Sequence, residues 1–331
     1  MEVLHGLEEL ERAGARACAA TVGVFDGVHL GHFHVLQEVR RRAAALDVIP
    51  AVVTFAEHPK SVLVGRSPDT VTSLAHRLLL FERAGIRRTL VLEFTDELRQ
   101  WTAGEFVREL LLGRMDMKAL VLGFDSKFGR DRGGTAESLA PLAAELGFEL
   151  AEVPPLRLGG RAVSSTAVRE AVALGELERG GRMLGRPVSL LGTVVKGDGR
   201  GRQIGFPTAN LNLHHEMRPP NGVYAALVLL DGELRDAAVN IGTRPTFDTQ
   251  EAAVEVHVLD FDGDLYGRDL EVFFLAHLRV ERKFDGVEQL EAQIAADLAE
   301  ARARLAAARN DWRIPGEYLP IEGPGPEALA G

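Results

Sequence analysis

The feature that most constrains the fold is a change of rhythm near Gly185. Before it, short apolar runs alternate with stretches of helical periodicity. Residues 19–25, 49–55, 88–94, 119–124 and 148–153 read as strands, and 32–46, 104–112 and 136–146 as helices. Such alternation predicts an α/β domain with a mostly parallel sheet, whose ligands gather at the carboxyl ends of the strands. After Gly185 the runs 188–195, 223–230, 237–241, 252–259 and 270–278 follow one another across short turns such as Asp231-Gly232 and Asp262-Gly263. That pattern predicts a small antiparallel barrel or sandwich. One helix follows over 287–307, with Leu290, Ile294 and Leu298 at helical spacing. The expected organisation is one domain over 1–184, a second over 185–310, and a loosely ordered, Pro- and Gly-rich tail over 311–331.

Composition narrows the function. Lys plus Arg total 38 against 48 Asp plus Glu, a net charge of −10. A chain this acidic is a poor general nucleic-acid binder, although local clusters of Lys and Arg can still hold a small anion. No apolar run reaches the ~20 residues of a membrane helix. Neither a basic start nor an apolar signal core precedes the first strand. Cys18 is the single cysteine, which excludes an internal disulfide and a cysteine-cluster metal site. The expectation is a cytoplasmic protein without nucleic-acid or membrane partners, a monomer or weak homo-oligomer.

Two segments of the first half have the chemistry of phosphate binding. Val22-Gly23-Val24-Phe25-Asp26-Gly27-Val28-His29-Leu30-Gly31-His32 joins the first strand to the first helix. A helix N-terminus offers N–H groups and a positive dipole end. Gly27 and Gly31 let a phosphate approach the backbone, and two imidazoles can donate hydrogen bonds as charge develops on phosphoryl oxygens. Ser164-Ser165-Thr166-Ala167-Val168-Arg169 opens another helix. A hydroxyl there is expected as a cap in any case, but Arg169 one turn in can clamp a phosphate. A loop after residue 124, Asp125-Ser126-Lys127-Phe128-Gly129-Arg130, belongs to the same sheet edge.

Together these strings resemble the nucleotidyltransferase superfamily, with its His-x-Gly-His and Ser-Ser/Thr-x-x-Arg signatures. With Thr54-Phe55 and His58-Pro59 added, they resemble the FMN adenylyltransferase module of bacterial FAD synthetases. The resemblance implies a Rossmann-like nucleotidyltransferase domain in which His29 and His32 bind ATP phosphates and stabilise the transition state. It also implies nucleotide contacts from Gly23, Phe25, Asp26, Gly31 and Asp125. The triphosphate falls to Ser164, Ser165, Thr166 and Arg169, and flavin to His58. The chain departs from the family's usual strings at Glu57, Phe124 and Ser126.

The second half opens with a glycine-rich basic loop, Lys196-Gly197-Asp198-Gly199-Arg200-Gly201-Arg202-Gln203-Ile204-Gly205, followed by Phe206-Pro207-Thr208-Ala209-Asn210. Glycines let N–H groups curl around phosphate, and Lys196, Arg200 and Arg202 add charge. It matches neither a Walker A loop nor a dinucleotide fingerprint, so spacing alone gives only a basic turn. In family order, however, Gly205 to Asn210, Asn221-Gly222-Val223-Tyr224, Asn240 to Phe247, Glu255-Val256-His257 and Asp264-Leu265-Tyr266-Gly267 resemble riboflavin kinases. That resemblance implies a six-stranded barrel, with ATP at Lys196, Gly197, Arg202 and Gly205. It gives Thr208 and Asn210 to Mg²⁺, with Asn210 also beside the flavin, and makes Glu255 the base for the ribityl hydroxyl. Without it, Glu255 between Val254 and Val256 is an outward polar residue of an alternating strand. His257, His214 and His215 lack a coherent metal-ligand set.

The combined expectation is a bifunctional enzyme that phosphorylates riboflavin to FMN and adenylylates FMN to FAD, with ATP, riboflavin and FMN as substrates and Mg²⁺ as cofactor. Three other readings of the same residues are a riboflavin kinase beside a weak or inactive adenylyltransferase domain, another nucleotidyltransferase of the same superfamily acting on a different phosphate or alcohol, and a non-catalytic flavin-binding or regulatory protein.

Overall fold

The computed structural model describes residues 1–57, 70–197, 199, 201, 204–214, 216–245 and 250–308. Contacts divide the chain into two units, one formed mainly by residues before Ser165 and one by those after it. Residues 70–73 belong to the second unit. The helices between Ser165 and the 184/185 boundary expected from sequence therefore pack with the barrel.

In the first unit, β1 (Glu2–His5), β2 (Cys18–Val22), β3 (Ile49–Phe55), β4 (Arg88–Leu92), β5 (Met117–Gly123) and β6 (Glu149–Val153) form one sheet. Its order is β1-β4-β3-β2-β5-β6, and all pairs are parallel. The chain winds from β2 outward through β3 and β4, then crosses back to place β5 on the other side of β2. The loops after β2 and β5 thus open side by side at the switch point, where such sheets hold ligands.

Alternation along the strands feeds two cores. Cys18, Ala20, Val22, Val53 and Phe55 join Phe106, Leu110 and Leu139 on one face. Ala19 and Val52 join Phe33, Leu36, Val39 and Phe81 on the other. A sheet covered on both faces accounts for strands that read as continuous apolar runs. The helices include α1 (Gly6–Ala13), α2 (Leu30–Ala45), α3 (Leu74–Arg83) and α4 (Ala136–Leu146). The expected helix over 104–112 is mostly a π-helix, Phe106–Leu112, which keeps Phe106, Val107, Leu110 and Leu111 buried. The expected strand over 19–25 ends at Val22, because Phe25 turns to φ 55°.

A small hairpin, in which β7 (Arg157–Leu158) pairs with β8 (Arg161–Ala162), belongs to the first unit, and the helices and barrel of the second unit follow it. Then α5 (Ser165–Ala173) and α6 (Leu177–Leu184) pack together, and α6 touches the barrel. The strands β9 (Val188–Val195), β10 (Ala209–Asn212), β11 (Gly222–Leu230), β12 (Glu233–Pro245), β13 (Gln250–Val258) and β14 (Asp269–Arg279) close as β10-β13-β12-β11-β14-β9. Asp231 and Gly232 take φ of 54° and 81°, the left-handed pair that a tight hairpin between β11 and β12 requires. The last helix, α7 (Val287–Ala308), packs on β11, β12 and β14. The expected tail over 311–331 lies outside the described residues.

Candidate active sites

The first site grows from the end of β2. Gly23 N–H still donates to Val53 O at 3.0 Å, and then the chain turns tightly, with Val28 N–H on Phe25 O at 3.0 Å. Phe25, Gly27 and Val28 all have positive φ, at 55°, 81° and 37°. For Phe and β-branched Val that conformation costs roughly 1–3 kcal/mol each, strain of the kind held at ligand-binding turns. Phe25 and Asp26 are buried in this turn, and Phe25 packs edge-on against Phe81 and His32.

His29 is the N-cap of α2, and its Nδ1 accepts the His32 N–H at 3.2 Å. An accepting Nδ1 leaves the proton of the neutral ring on Nε2, so His29 is a donor there. The His32 ring stacks on it, centroids 3.6 Å apart. Burial above all, then His29 and Arg77, hold His32 well below the ordinary 6.5. The pair therefore offers neutral N–H donors rather than fixed charges. Gly31 completes the arrangement: a Cβ there would meet His29 Nδ1 and Cε1 at 3.2 Å.

At the neighbouring strand end, Ser126 Oγ accepts Gly123 N–H at 2.9 Å, while Ser126 N–H returns to Gly123 O. Ser126 thus closes the turn that exposes Phe124 and Asp125. Glu57 is exposed, and His58 lies outside the described residues. Ser164 precedes α5, whose first residues are Ser165 and Thr166, with Arg169 one turn on. By contacts α5 belongs to the second unit. The sequence reading missed Arg77, whose guanidinium is buried against the loop after β2.

The second site lies on the outer face of the barrel. Register sets Asn210 of β10 opposite Glu255 of β13, and Glu255 opposite Asn240 of β12. The three side chains form one polar row across three strands, while Val254 and Val256 point into the barrel core. The row borders a cavity of about 750 Å³, closed on its apolar side by Phe284 and by Leu290, Ile294 and Leu298 of α7. Thr208 lines this cavity and also a second one of about 390 Å³, which reaches Tyr266. The hydroxyl thus stands where two ligands can meet.

The glycine loop crowds this row. A Cβ on Gly197 would meet Asn210 Nδ2 at 2.0 Å, and one on Gly201 would meet Phe206 O at 2.3 Å and Thr208 Oγ1 at 3.3 Å. Lys196 and Gly205 are exposed, and Arg202 lies outside the described residues. His257 holds the segment from behind, with Nδ1 2.7 Å from Pro207 O. Among the described residues no group of three or more His, Cys, Asp or Glu could hold a metal. Thr208 and Asn210 are hard oxygen donors of the kind Mg²⁺ takes when phosphates and water complete its shell.

Known proteins match both halves. A family model for FAD synthetase matches residues 11–167, and one for riboflavin kinase matches residues 184–305. A bifunctional riboflavin kinase/FMN adenylyltransferase of Pseudomonas fluorescens is 39% identical over 307 residues, 92% of this chain and 98% of that one. The chain belongs to the bifunctional riboflavin kinase/FMN adenylyltransferase family. The Bacillus subtilis member is 34% identical over 91% of this chain and 96% of its own length. A crystal structure described as a macrolide-efflux protein from Streptococcus pneumoniae superposes with a TM-score of 0.78 at 34% identity, covering 91% of this chain and 99% of that one. No helix among the described residues is long and apolar enough to cross a membrane. Ser165 and Thr166 fall inside the FAD synthetase match and Arg169 just beyond it.

Proposed function

We propose that the two sites act in sequence on one flavin, the barrel making FMN and the first unit making FAD. The observation that carries this reading is the Asn210–Glu255–Asn240 row beside a flavin-sized cavity, in a chain that also carries the His29/His32 pair. In the barrel, riboflavin takes the larger cavity against α7, and ATP reaches Thr208 from the smaller one. Glu255 accepts the ribityl 5′-hydroxyl proton as that oxygen bonds to the γ-phosphorus, and ADP leaves. Thr208 and the Asn210 side-chain oxygen would hold Mg²⁺, which would supply neutralisation of the polyphosphate charge. Lys196, Gly197 and Gly205 line the phosphate path, and Arg202 adds charge there.

In the first unit an FMN phosphate oxygen attacks the α-phosphorus of a second ATP, and pyrophosphate leaves. His29 Nε2–H and His32 donate to the phosphoryl oxygens as negative charge builds on them. Gly23, Phe25, Asp26, Gly31 and Asp125 bind the nucleotide, and Ser164, Ser165, Thr166 and Arg169 take the triphosphate. His58 contacts the flavin. The acidic charge and single cysteine fit a cytoplasmic protein without nucleic-acid partners, and we propose that the chain works as a monomer or weak homo-oligomer.

Separation of function tests the assignment. Glu255→Gln should abolish FMN formation yet still convert supplied FMN to FAD. His32→Ala should do the reverse. Loss of both activities in either variant, or of neither, contradicts it.

A further inference from the structure

Arg77 lies in α3, outside every motif of the sequence, and is only 4% exposed. Its Nη1 donates to Val24 O at 2.6 Å and to Thr54 Oγ1 at 3.1 Å. Its Nη2 donates to Phe55 O at 3.0 Å and to Ala56 O at 3.4 Å. Thr54 Oγ1 also donates to Val24 O, at 3.4 Å. One guanidinium therefore ties the loop after β2 to the carboxyl end of β3. Burial lowers Arg77 to about 10, still well above neutrality, while the Asp26 carboxylate opposes the shift.

Val24 is the residue immediately before the strained turn of Phe25, Gly27 and Val28, and that turn delivers His29 to the N-cap of α2. We propose that Arg77 is a positioning residue for adenylyl transfer, clamping Val24 to β3 so that the turn holds the stacked His29 and His32 rings in their working geometry. The proposal rests on the reading of the first unit as the FMN adenylyltransferase site. A planar fork suits the task, since it reaches acceptors on two chain segments at once. A lysine ammonium keeps the charge but spans fewer of them.

A matched control exists in the same sheet. Arg88 is 1% exposed and donates to Glu2 Oε2 at 2.7 Å and to Gly14 O at 2.9 Å. It stands at the start of β4, the edge opposite the nucleotide turn. Removing it strips a buried guanidinium from the fold without touching that turn.

The test uses the full chain with Arg77→Met, Arg77→Lys and Arg88→Met. FAD formation from FMN, ATP and Mg²⁺ is resolved into kcat and KM, corrected for the folded fraction. FMN formation from riboflavin serves as the internal control. Displacing the turn by an ångström predicts a fall of about a hundredfold in kcat for Arg77→Met. The ATP KM should change less, Arg77→Lys should recover part of the loss, and kinase activity should be unchanged. Arg88→Met should melt earlier yet keep its FAD kcat per folded molecule. If Arg77→Met does not fold, a reduced kcat in folded Arg77→Lys supports the clamp, and an unreduced one overturns it. Wild-type kcat in Arg77→Met, or an equal loss in Arg88→Met, overturns the clamp alone. No FAD from the wild-type chain overturns the adenylyltransferase reading and the clamp with it.

Discussion

Gly197→Ala isolates the geometry of the kinase site with a single carbon atom. Gly197 does not have a left-handed φ, so alanine meets no backbone strain there. The added Cβ would stand 2.0 Å from Nδ2, 2.6 Å from Cγ and 3.0 Å from Oδ1 of Asn210. Ordinary carbon contacts begin at about 3.5 Å, so the amide must retreat by roughly 1.5 Å. That removes Asn210 from its place beside Glu255 and Thr208. A hydrogen bond to a charged group contributes about 1.5–3 kcal/mol. At about 1.4 kcal/mol per decade, FMN formation should fall by a factor of roughly 10 to 150. The assay is the initial rate of FMN formation from riboflavin, with FAD formation from FMN in the same preparation as the control. Asn210→Ala should lower the kinase similarly, and adding Gly197→Ala to it should change little, because both remove the same contact. Wild-type kinase activity in Gly197→Ala, or fully additive losses in the double variant, would refute the reasoning.

Three further outcomes follow from the geometry. Gly31→Ala should push the His29 ring off its cap, a loss of about 1 kcal/mol, and slow FAD formation about fivefold while FMN formation is untouched. His32 is held neutral when folded but takes a proton near 6.5 when unfolded, so the unfolded state binds more protons as pH falls. Melting of the first unit should therefore drop below about pH 6.5, His32→Gln should flatten that dependence, and parallel curves would count against the buried neutral ring. Asp297 is buried and accepts Arg279 Nε and Nη2 at 2.9 and 2.7 Å and Gln293 Nε2 at 2.6 Å, fixing α7 along the larger cavity. Asp297→Ala should cost about 3 kcal/mol in the second unit and raise the riboflavin KM more than it lowers kcat, read by thermal melting and kinase kinetics.

The rhythm of the sequence carried the architecture because both units bury apolar runs at regular spacing. Where it did not, the reasons are local. β10 is only four residues long with alternating burial, too short to stand out from the loop before it. α6 was hidden by Gly180 and Gly181. The first is glycine because a Cβ would meet Val188 Cγ2 at 2.9 Å where helix and barrel touch. β12 runs past its apolar run to Pro245, since pairing with β13 rather than hydropathy fixes its length. The two motif-bearing turns were legible because His29, Gly31 and Thr208 sit in strings whose chemistry is local. The polar row was not, because register between β10, β13 and β12 sets it. Arg77 was invisible for the same reason: its acceptors lie on β3 and on the loop after β2, far from it in sequence.

The most direct test of the account is the fate of riboflavin in a single reaction. The purified chain, incubated with riboflavin, excess ATP and Mg²⁺, should form FMN that rises and then declines as FAD and pyrophosphate accumulate. FMN that persists without FAD while ATP remains, or riboflavin left unchanged, would contradict it.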